Sequence, residues 1–441
     1  MLIVSSVDSI RNLPSAALFG PSLIFFYILA ALVFLIPTAY VSAKLSSALH
    51  EEGGIYHWVR TAFGAKWAML AIWLQWINTM IWCPTILAFI SGVVAYLIHP
   101  ELANNKYFLM GGILVIFWIL TFFNLFGVQI SARITAICAT IGTILPIFLL
   151  IALGFIWIGM EKTVQIDITL ETIFIPGKEY WTSLVAIAGS FLGIELAGVH
   201  SAEIHNPQKN FPKAIFFSCS IIFSSMLFGS LAIAYVLPAH QINLVAGSME
   251  AIAYFFNAFG LGHLSDLIVI LIVIGSIGGL INWVISPAKG LLHAAEFGFL
   301  PPFLRKKNNH GVSVNILLIQ AVIVTFISSL FLLISSVNAF YWFLLAISTE
   351  LYMLMYILMF LSAIHLRNSI PAQRGLLFAM ILLGLFGTTL ITIVSFIPPP
   401  HVELAQGAKY ALLIGISNVV AILPVVFFFR YKKKKNHQLH I

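Results

Sequence analysis

The chain has 441 residues, of which 61% are hydrophobic and only 8% are Asp, Glu, Lys or Arg, too little charge to cover the surface of a soluble protein. The net charge of +7 does not indicate nucleic-acid binding, because the basic residues sit in short loops and at the C-terminus. Cys83, Cys138 and Cys219 lie inside apolar runs without CxxC spacing, and no catalytic, metal-binding or nucleotide-binding motif is present. We therefore expect no enzyme activity, no cofactor and no metal.

Runs of about twenty apolar residues recur along the chain, and each is long enough to cross roughly 30 Å of hydrocarbon as a helix. The runs are continuously apolar rather than alternating, which favours helices over a closed barrel. The stretch before residue 20 has the length of half a span and is interrupted by charge and proline. The eleven predicted full spans are 21–46, 67–98, 107–127, 131–159, 183–203, 212–237, 264–292, 313–335, 339–365, 375–397 and 408–430.

The distribution of Lys and Arg predicts the orientation of these spans. Alternate loops, on the side of the C-terminal basic run, collect most of the basic residues, whereas the longer opposite loops, 160–182 and 238–263, carry more acidic ones. We expect a multi-pass membrane protein with a cytoplasmic C-terminus. Residues 1–430 are predicted to form a single transmembrane domain and residues 431–441 a short basic cytoplasmic tail.

The first candidate site is the interrupted opening stretch. Pro14 cannot donate a backbone hydrogen bond and disfavours helix at the preceding residue. Asp8 and Arg11 lie three apart, so they could pair on one helical face. The pattern favours a broken helix within the membrane; the alternative is an aqueous N-terminal tail.

The second candidate is residues 189–198, GSFLGIELAG, in which three glycines each weaken a helix by about 1 kcal/mol relative to Ala. Glu195 lies beside them, near the middle of the span. Backbone groups freed at a helix break can hold the ammonium and carboxylate groups of a solute. The alternative is close helix packing on small residues, with Glu195 bonded to a neighbouring helix.

Three further polar features have weaker functional readings. The segment 201–212 is expected to be a structural turn between two spans. Glu350 could line a path or carry a proton, but an interhelical hydrogen bond explains it equally well. Lys289, with His293 one turn later, is best explained by snorkelling to the membrane interface.

At these residues the sequence resembles the amino acid–polyamine–organocation (APC) superfamily, and within it the bacterial glutamate:GABA antiporter-like permeases. The segment 51–64, EEGGIYHWVRTAFG, is similar to the first inner loop of the family, and FLGIE at 191–195, followed by Asn206-Pro207 and Phe211-Pro212, is similar to its sixth-helix signature. The resemblance implies an all-α, LeuT-like fold of two inverted five-helix repeats plus two helices, about twelve transmembrane helices with the first incomplete. It also implies that the first and sixth helices unwind at mid-membrane, here at residues 6–12 and 190–195. Finally, it implies that residues 1–430 are a transporter domain in the bacterial inner (plasma) membrane.

Three departures from the family pattern affect the functional expectation. The opening helix of the family starts earlier, so the chain could be truncated or its start misassigned. Gly189 stands where the arginine/agmatine exchangers carry a Trp, which argues against that substrate pair. The tail after Arg430 is too short to act as the pH-dependent plug of the glutamate:GABA exchanger.

Together these observations predict a secondary active amino acid transporter, an antiporter with glutamate/GABA-like exchange by alternating access. The alternatives are an amino acid or polyamine:H⁺ symporter and, from another class, a non-transporting sensor or truncated inactive paralogue. Expected partners are a small-molecule amino acid and the lipid bilayer, with no nucleic acid; a homodimer is compatible with the sequence. The expected proton-coupling or path-lining residues are Glu195 and Glu350. The expected substrate-binding residues are Ser6, Asp8, Ser9, Arg11, Ser190, Gly193, Ile194 and Glu195.

Overall fold

The computed structural model describes residues 9–49, 54–126, 137–138, 140–174, 176–196, 207–296, 298–334, 336–400 and 407–438. Within these ranges the regular structure is helical, and the β-type pairing is one isolated bridge between Lys307 and Ser313. Ten of the described helices are long and apolar enough to cross a membrane. The helices, in chain order, are α1 (Leu13–Ala17), α2 (Gly20–Ala48), α3 (Gly54–Phe63), α4 (Ala65–Ile98), α5 (Lys106–Leu125), α6 (Thr140–Gly159), α7 (Leu170–Phe174), α8 (Ser183–Ser190), α9 (Pro207–Val236), α10 (Gly247–Ala258), α11 (Ser265–Glu296), α12 (Val314–Ser329), α13 (Val337–His365), α14 (Arg374–Val394), α15 (Gly407–Ile422) and α16 (Pro424–Gln438).

The described chain begins at the first predicted break. Ser9 has an extended backbone, with φ −149° and ψ 119°, and the turn Ile10–Asn12 that follows is a 3-10 helix. Pro14 is the second residue of α1, where its missing N–H leaves no intrahelical hydrogen bond unmade. The helix formed by the opening stretch therefore starts at Ile10, after a residue that is not helical.

The second predicted break follows α8. The helix ends at Ser190, residues 191–193 form a turn, and residues 194–196 form one further turn of 3-10 helix. Gly193 has a φ of 95°, in the left-handed region that favours glycine. Helix α8 packs against both α1 and the turn Ile10–Asn12, so the described parts of the two predicted breaks lie next to each other; residues 6–8 of the first lie outside the described residues.

The spans differ in how much of their surface is inside the protein. Helices α4 and α13 are the most buried and pack against each other and against α3, and α4 also packs on α11. Helices α5, α14 and α15 instead expose large apolar side chains, including Phe122, Phe386 and Val420. Such surfaces are unfavourable in water and are expected to face lipid.

The observed spans follow the predicted ones closely, with differences of detail. The predicted span 408–430 is divided at Leu423 between α15 and α16, and the first part of the predicted span 131–159 lies outside the described residues. The predicted span 183–203 is interrupted after Ser190, and its end lies outside the described residues. Helix α16 continues to Gln438, through the predicted boundary between residues 430 and 431. The turn 201–206 is not among the described residues. Lys289 and His293 lie on α11, but their side chains are not described.

Candidate functional site

A cavity lies between the turn Ile10–Asn12 at the first predicted break and the end of α8 at the second. Its wall is formed by the first break, α8 and the helices α4, α6 and α11. Arg11 is the one formally charged side chain among the described residues that line it. The lining residues are Ser9, Arg11, Asn12, Asn78, Trp82, Ile86, Thr143, Gly189, Leu192, Gly275, Ser276, Gly279 and Trp283.

Arg11 is fixed by neutral groups from two other helices. Its Nη1 donates to Thr85 Oγ1 at 2.7 Å and, more weakly, to the Tyr341 hydroxyl at 3.5 Å. Its guanidinium carbon lies 4.7 Å from the ring centroid of Trp82, a cation–π distance. Trp82 in turn packs on Trp283 with ring centroids 5.3 Å apart, so the cation begins an aromatic stack that continues across the cavity wall.

Small side chains leave room on the α6–α11 side of the cavity. The two helices touch through backbone at Gly142 and Gly275, where a Cβ on Gly275 would lie 2.4 Å from the Gly142 carbonyl carbon. Gly275, Ser276 and Gly279 recur on one face of α11, at the spacing of a helical turn. This close approach of the backbones shapes a wall with few projecting atoms.

Asn78 supplies a polar group from α4. Its Nδ2 donates to the Ser348 carbonyl oxygen at 2.6 Å and to Ser348 Oγ at 2.9 Å, which ties α4 to α13. Both donors of the amide are directed at α13, so its carbonyl oxygen is the group left for a ligand.

Glu195 lies behind the cavity wall, in a set of hydrogen-bond donors. Its Oε1 accepts from the Tyr352 hydroxyl at 2.7 Å and from Gln75 Nε2 at 3.3 Å, and its Oε2 accepts from the Tyr356 hydroxyl. The Tyr356 hydroxyl also accepts from the Gly193 N–H at 3.2 Å. One buried carboxylate therefore connects the second break to α4 and α13.

Glu350 occupies a different place. It is buried on α13 but is not among the residues that line the cavity. Its Oε2 accepts a hydrogen bond of 2.6 Å from Asn418 Nδ2, on α15. The interhelical hydrogen bond foreseen as the alternative reading of Glu350 is present, and its role in proton coupling stays a prediction.

The cavity brings together some of the predicted site residues and not others. Ser9 and Arg11 line it. Ser190 is buried and donates to the Ile187 carbonyl of its own helix at 2.6 Å; Gly193 and Ile194 are not among the lining residues. Ser6 and Asp8 lie outside the described residues.

Several lining residues were not predicted from the sequence, notably Asn12, Asn78, Thr143, Ser276 and Trp283. Asn78 and Ser276 are polar residues inside strongly apolar spans, which is a usable signal, but such residues are common and usually bond within the protein. The described part of the chain contains no group of three or more His, Cys, Asp or Glu side chains able to hold a metal ion.

A bundle of membrane-spanning helices around a polar cavity, with the start of one helix and the end of another meeting at it, is typical of a membrane-embedded solute transporter. A sequence model of amino acid permeases matches residues 1–419. The chain belongs to the amino acid permease family.

Individual relatives are similar over most of their length. An uncharacterized transporter of Legionella pneumophila (strain Philadelphia 1) is 40% identical over 100% of this chain and 96% of its own. A glutamate/gamma-aminobutyrate antiporter of Lactococcus lactis (strain IL1403) is 28% identical over 98% of this chain and 90% of its own. A probable agmatine/putrescine antiporter of the same strain is 24% identical over 81% and 76% respectively.

The family and the described helices confirm four predictions. The chain is a permease of the APC superfamily, an all-α membrane protein with the LeuT-like fold, and a multi-pass protein of the bacterial inner membrane. Its family implies an amino acid as the small-molecule substrate and the lipid bilayer as its surroundings. It is a transporter; its mode of transport and its substrate remain to be proposed.

Proposed function

We propose that the protein is an amino acid antiporter that exchanges glutamate- and γ-aminobutyrate-like solutes by alternating access. The observation that carries the proposal is the cavity between the two helix breaks, because interrupted helices expose backbone groups that bind charged solutes within the membrane. Antiport is the activity named for two of the relatives above, one for glutamate and γ-aminobutyrate, the other for agmatine and putrescine.

In this proposal the two breaks bind the solute and Glu195 controls the second break. The backbone around Ser6, Asp8 and Ser9, and around Ser190, Gly193 and Ile194, receives the α-amino and carboxylate groups. An ionised Glu195 accepts from Tyr352, Tyr356 and Gln75 simultaneously. Protonation turns one carboxylate oxygen into a donor, so the set of donors around it can no longer be satisfied in the same arrangement. A proton on Glu195 would therefore loosen the second break from α4 and α13.

Counterflow in proteoliposomes tests the transport mode. An exchanger takes up labelled glutamate only when the vesicles contain unlabelled glutamate or γ-aminobutyrate, whereas an H⁺ symporter takes it up into empty vesicles under an inward proton gradient. A proton site at Glu195 is compatible with both an exchanger and a symporter. The requirement for internal substrate is therefore what separates the two mechanisms. Binding of solutes without either kind of uptake would contradict transport and favour a sensor.

Glu195→Gln tests the proposed role of the carboxylate. The amide is nearly isosteric but cannot ionise, so we expect exchange to fall by roughly tenfold or more and its dependence on pH to flatten. Glu350→Gln is the matched comparison, since Glu350 is also buried on the membrane-spanning bundle but contacts Asn418 rather than the second break. Unchanged uptake and affinity at every pH in Glu195→Gln would remove Glu195 from the mechanism, and loss of pH dependence in Glu350→Gln instead would transfer the role to Glu350.

A further inference from the structure

Arg11 is a buried cation without a carboxylate partner among the described residues. Only 2% of its surface is exposed, and its hydrogen-bond acceptors, Thr85 and Tyr341, are neutral hydroxyl groups that both bind Nη1. Its Nε has no hydrogen-bond partner within the described part of the chain. A guanidinium that is removed from water loses its hydration, and this loss is unfavourable unless an anion accompanies the cation. An ionisable residue in this position within a membrane usually has a functional partner.

The neighbouring residue provides the complementary group. Asn12 is 4% exposed, lines the same cavity, and has a buried Oδ1 without a hydrogen-bond partner. An amide oxygen accepts a hydrogen bond from an ammonium group. Arg11 and Asn12 therefore present an unused donor edge and an unused acceptor side by side on one short turn.

The charge of the cavity points in the same direction. Among the described residues that line it, Arg11 carries a positive charge and all others are neutral. A solute with two ammonium groups and no carboxylate would meet a net positive site. A solute with a carboxylate would neutralise Arg11, and the planar fork of Nε and Nη2 matches a carboxylate in a bidentate arrangement.

The surroundings of Arg11 hold the guanidinium in one orientation. Thr85 Oγ1 accepts from Nη1 while donating to the Trp82 carbonyl at 2.7 Å, and the Trp82 ring covers one face of the cation. The Tyr341 hydroxyl donates in return to the Arg11 carbonyl at 3.3 Å. With one nitrogen and one face occupied, the Nε edge is the part of the side chain left for a ligand.

We propose that Arg11 binds a carboxylate of the transported solute and Asn12 its ammonium group, as side-chain partners beside the backbone of the two breaks, so that the cavity selects amino acids over amines that lack a carboxylate. The consequence for transport selectivity rests on the proposed function. The prediction about which solutes bind does not depend on it. It predicts that glutamate and γ-aminobutyrate bind and that agmatine and putrescine do not.

The test measures binding and transport separately, on the purified full-length protein. Wild type, Arg11→Gln and Arg11→Lys are titrated with glutamate, γ-aminobutyrate, agmatine and putrescine by calorimetry and by thermal shift. We expect Arg11→Gln to weaken binding of the two carboxylate ligands roughly tenfold to hundredfold. The affinity of Arg11→Lys for the two carboxylate ligands should lie between those of wild type and Arg11→Gln, because Lys keeps the charge but lacks the planar guanidinium fork.

Lys162→Gln is a matched control. Lys162 also lies over a tryptophan ring, at 5.0 Å from the centroid of Trp157, but it is not among the cavity-lining residues. Its replacement should leave all four affinities unchanged. The melting temperature of each unliganded variant shows whether it is folded, and Arg11→Gln should not melt below wild type, because it removes a buried charge without a described counter-ion.

Two results would overturn the inference: wild-type affinity for glutamate in a folded Arg11→Gln, or binding of agmatine or putrescine to wild type as tightly as glutamate. If Arg11→Gln does not fold, the ranking of the four ligands in wild type and in Arg11→Lys decides the question. Binding that depends on Arg11 without counterflow in the wild type would support the inference and contradict the proposed antiport.

Discussion

At the scale of single residues, Gly193 meets two constraints at the second helix break. Its φ of 95° is a conformation that residues with a Cβ rarely adopt. A Cβ built on it would also lie 2.8 Å from Trp283 Cζ2 and 3.0 Å from Cη2. The end of the aromatic stack that begins at Arg11 therefore rests directly on the backbone of the break.

Replacing Gly193 with Ala should be destabilising. The left-handed backbone alone costs on the order of 1–3 kcal/mol, and the Trp283 ring must move as well. We expect a lower melting temperature and a loss of exchange. Gly111→Ala is the control, because Gly111 lies within helix α5, outside the cavity lining, and a Cβ there meets nothing within 4 Å. Equal melting temperatures for the two variants would show that the break tolerates a side chain.

The end of α8 at Ser190 and the start of the opening helix at Ile10 were predictable at this scale because their signals are local. Pro14, the charges of the opening stretch and the glycines of residues 189–198 act on the backbone within a few residues. The partners of Glu195 were not predictable, because Gln75, Tyr352 and Tyr356 come from spans far away in sequence. The sequence of those spans does not distinguish a tyrosine that donates a hydrogen bond to a carboxylate from a tyrosine that only packs in the core.

At the scale of elements, contacts with the opening turn, with α1 and with the start of α13 hold helix α10 and the residues just before it in place. Ser248 Oγ donates to the Ile10 carbonyl at 2.7 Å, and the Gly247 backbone lies against Pro14. Asn338, at the start of α13, accepts from the Leu244 N–H at 2.8 Å and donates to the Ile242 carbonyl at 3.0 Å. The sequence predicted only a long outside loop here, because a helix of 12 residues is too short to be recognised as a membrane span.

Glu250 on α10 makes the stability of this element depend on pH. Burial raises the pKa of Glu250 to about 7, although hydrogen bonds from the Asn243 backbone and the Tyr96 hydroxyl favour the charged form. Because the folded protein holds this proton more tightly than the unfolded chain, the contribution of Glu250 to stability is complete below about pH 4.5 and is lost as the pH rises through about 7.

Glu250→Gln should therefore raise the melting temperature relative to wild type at pH 8 by a few degrees, with little difference at pH 4.5. The measurement is a thermal melt of the purified protein at a series of pH values. Glu101→Gln, which removes a carboxylate whose side chain is 90% exposed, serves as the control. A difference between Glu250→Gln and wild type that stays constant with pH would show that Glu250 is not the titrating group.

At the scale of the whole molecule, the spans and their order could be predicted almost completely. A continuous apolar run of the right length has few alternatives in lipid, so helix positions follow from hydropathy. The cavity wall could not be predicted in the same way. Asn78, Thr143 and Ser276 meet there only because α4, α6 and α11 cross at that depth, and the close approach of Gly142 and Gly275 is a property of that crossing.

The orientation of the whole molecule is a further prediction. The bias of Lys and Arg toward alternate loops places the C-terminus in the cytoplasm. A green fluorescent protein fused after residue 441 should fluoresce and an alkaline phosphatase at the same place should be inactive. The same reporters fused after Lys162, in the outside loop 160–182, should give the opposite pattern. Phosphatase activity at the C-terminus would reverse the predicted topology.

The bond between Ser248 and Ile10 ends at a main-chain oxygen. Every amino acid carries that oxygen, so the side chain at position 10 can be substituted in evolution without loss of the hydrogen bond between α10 and the opening turn. Selection to keep this hydrogen bond acts on position 248 alone. Homologues without a hydroxyl at that position should have another polar contact between α10 and the opening turn.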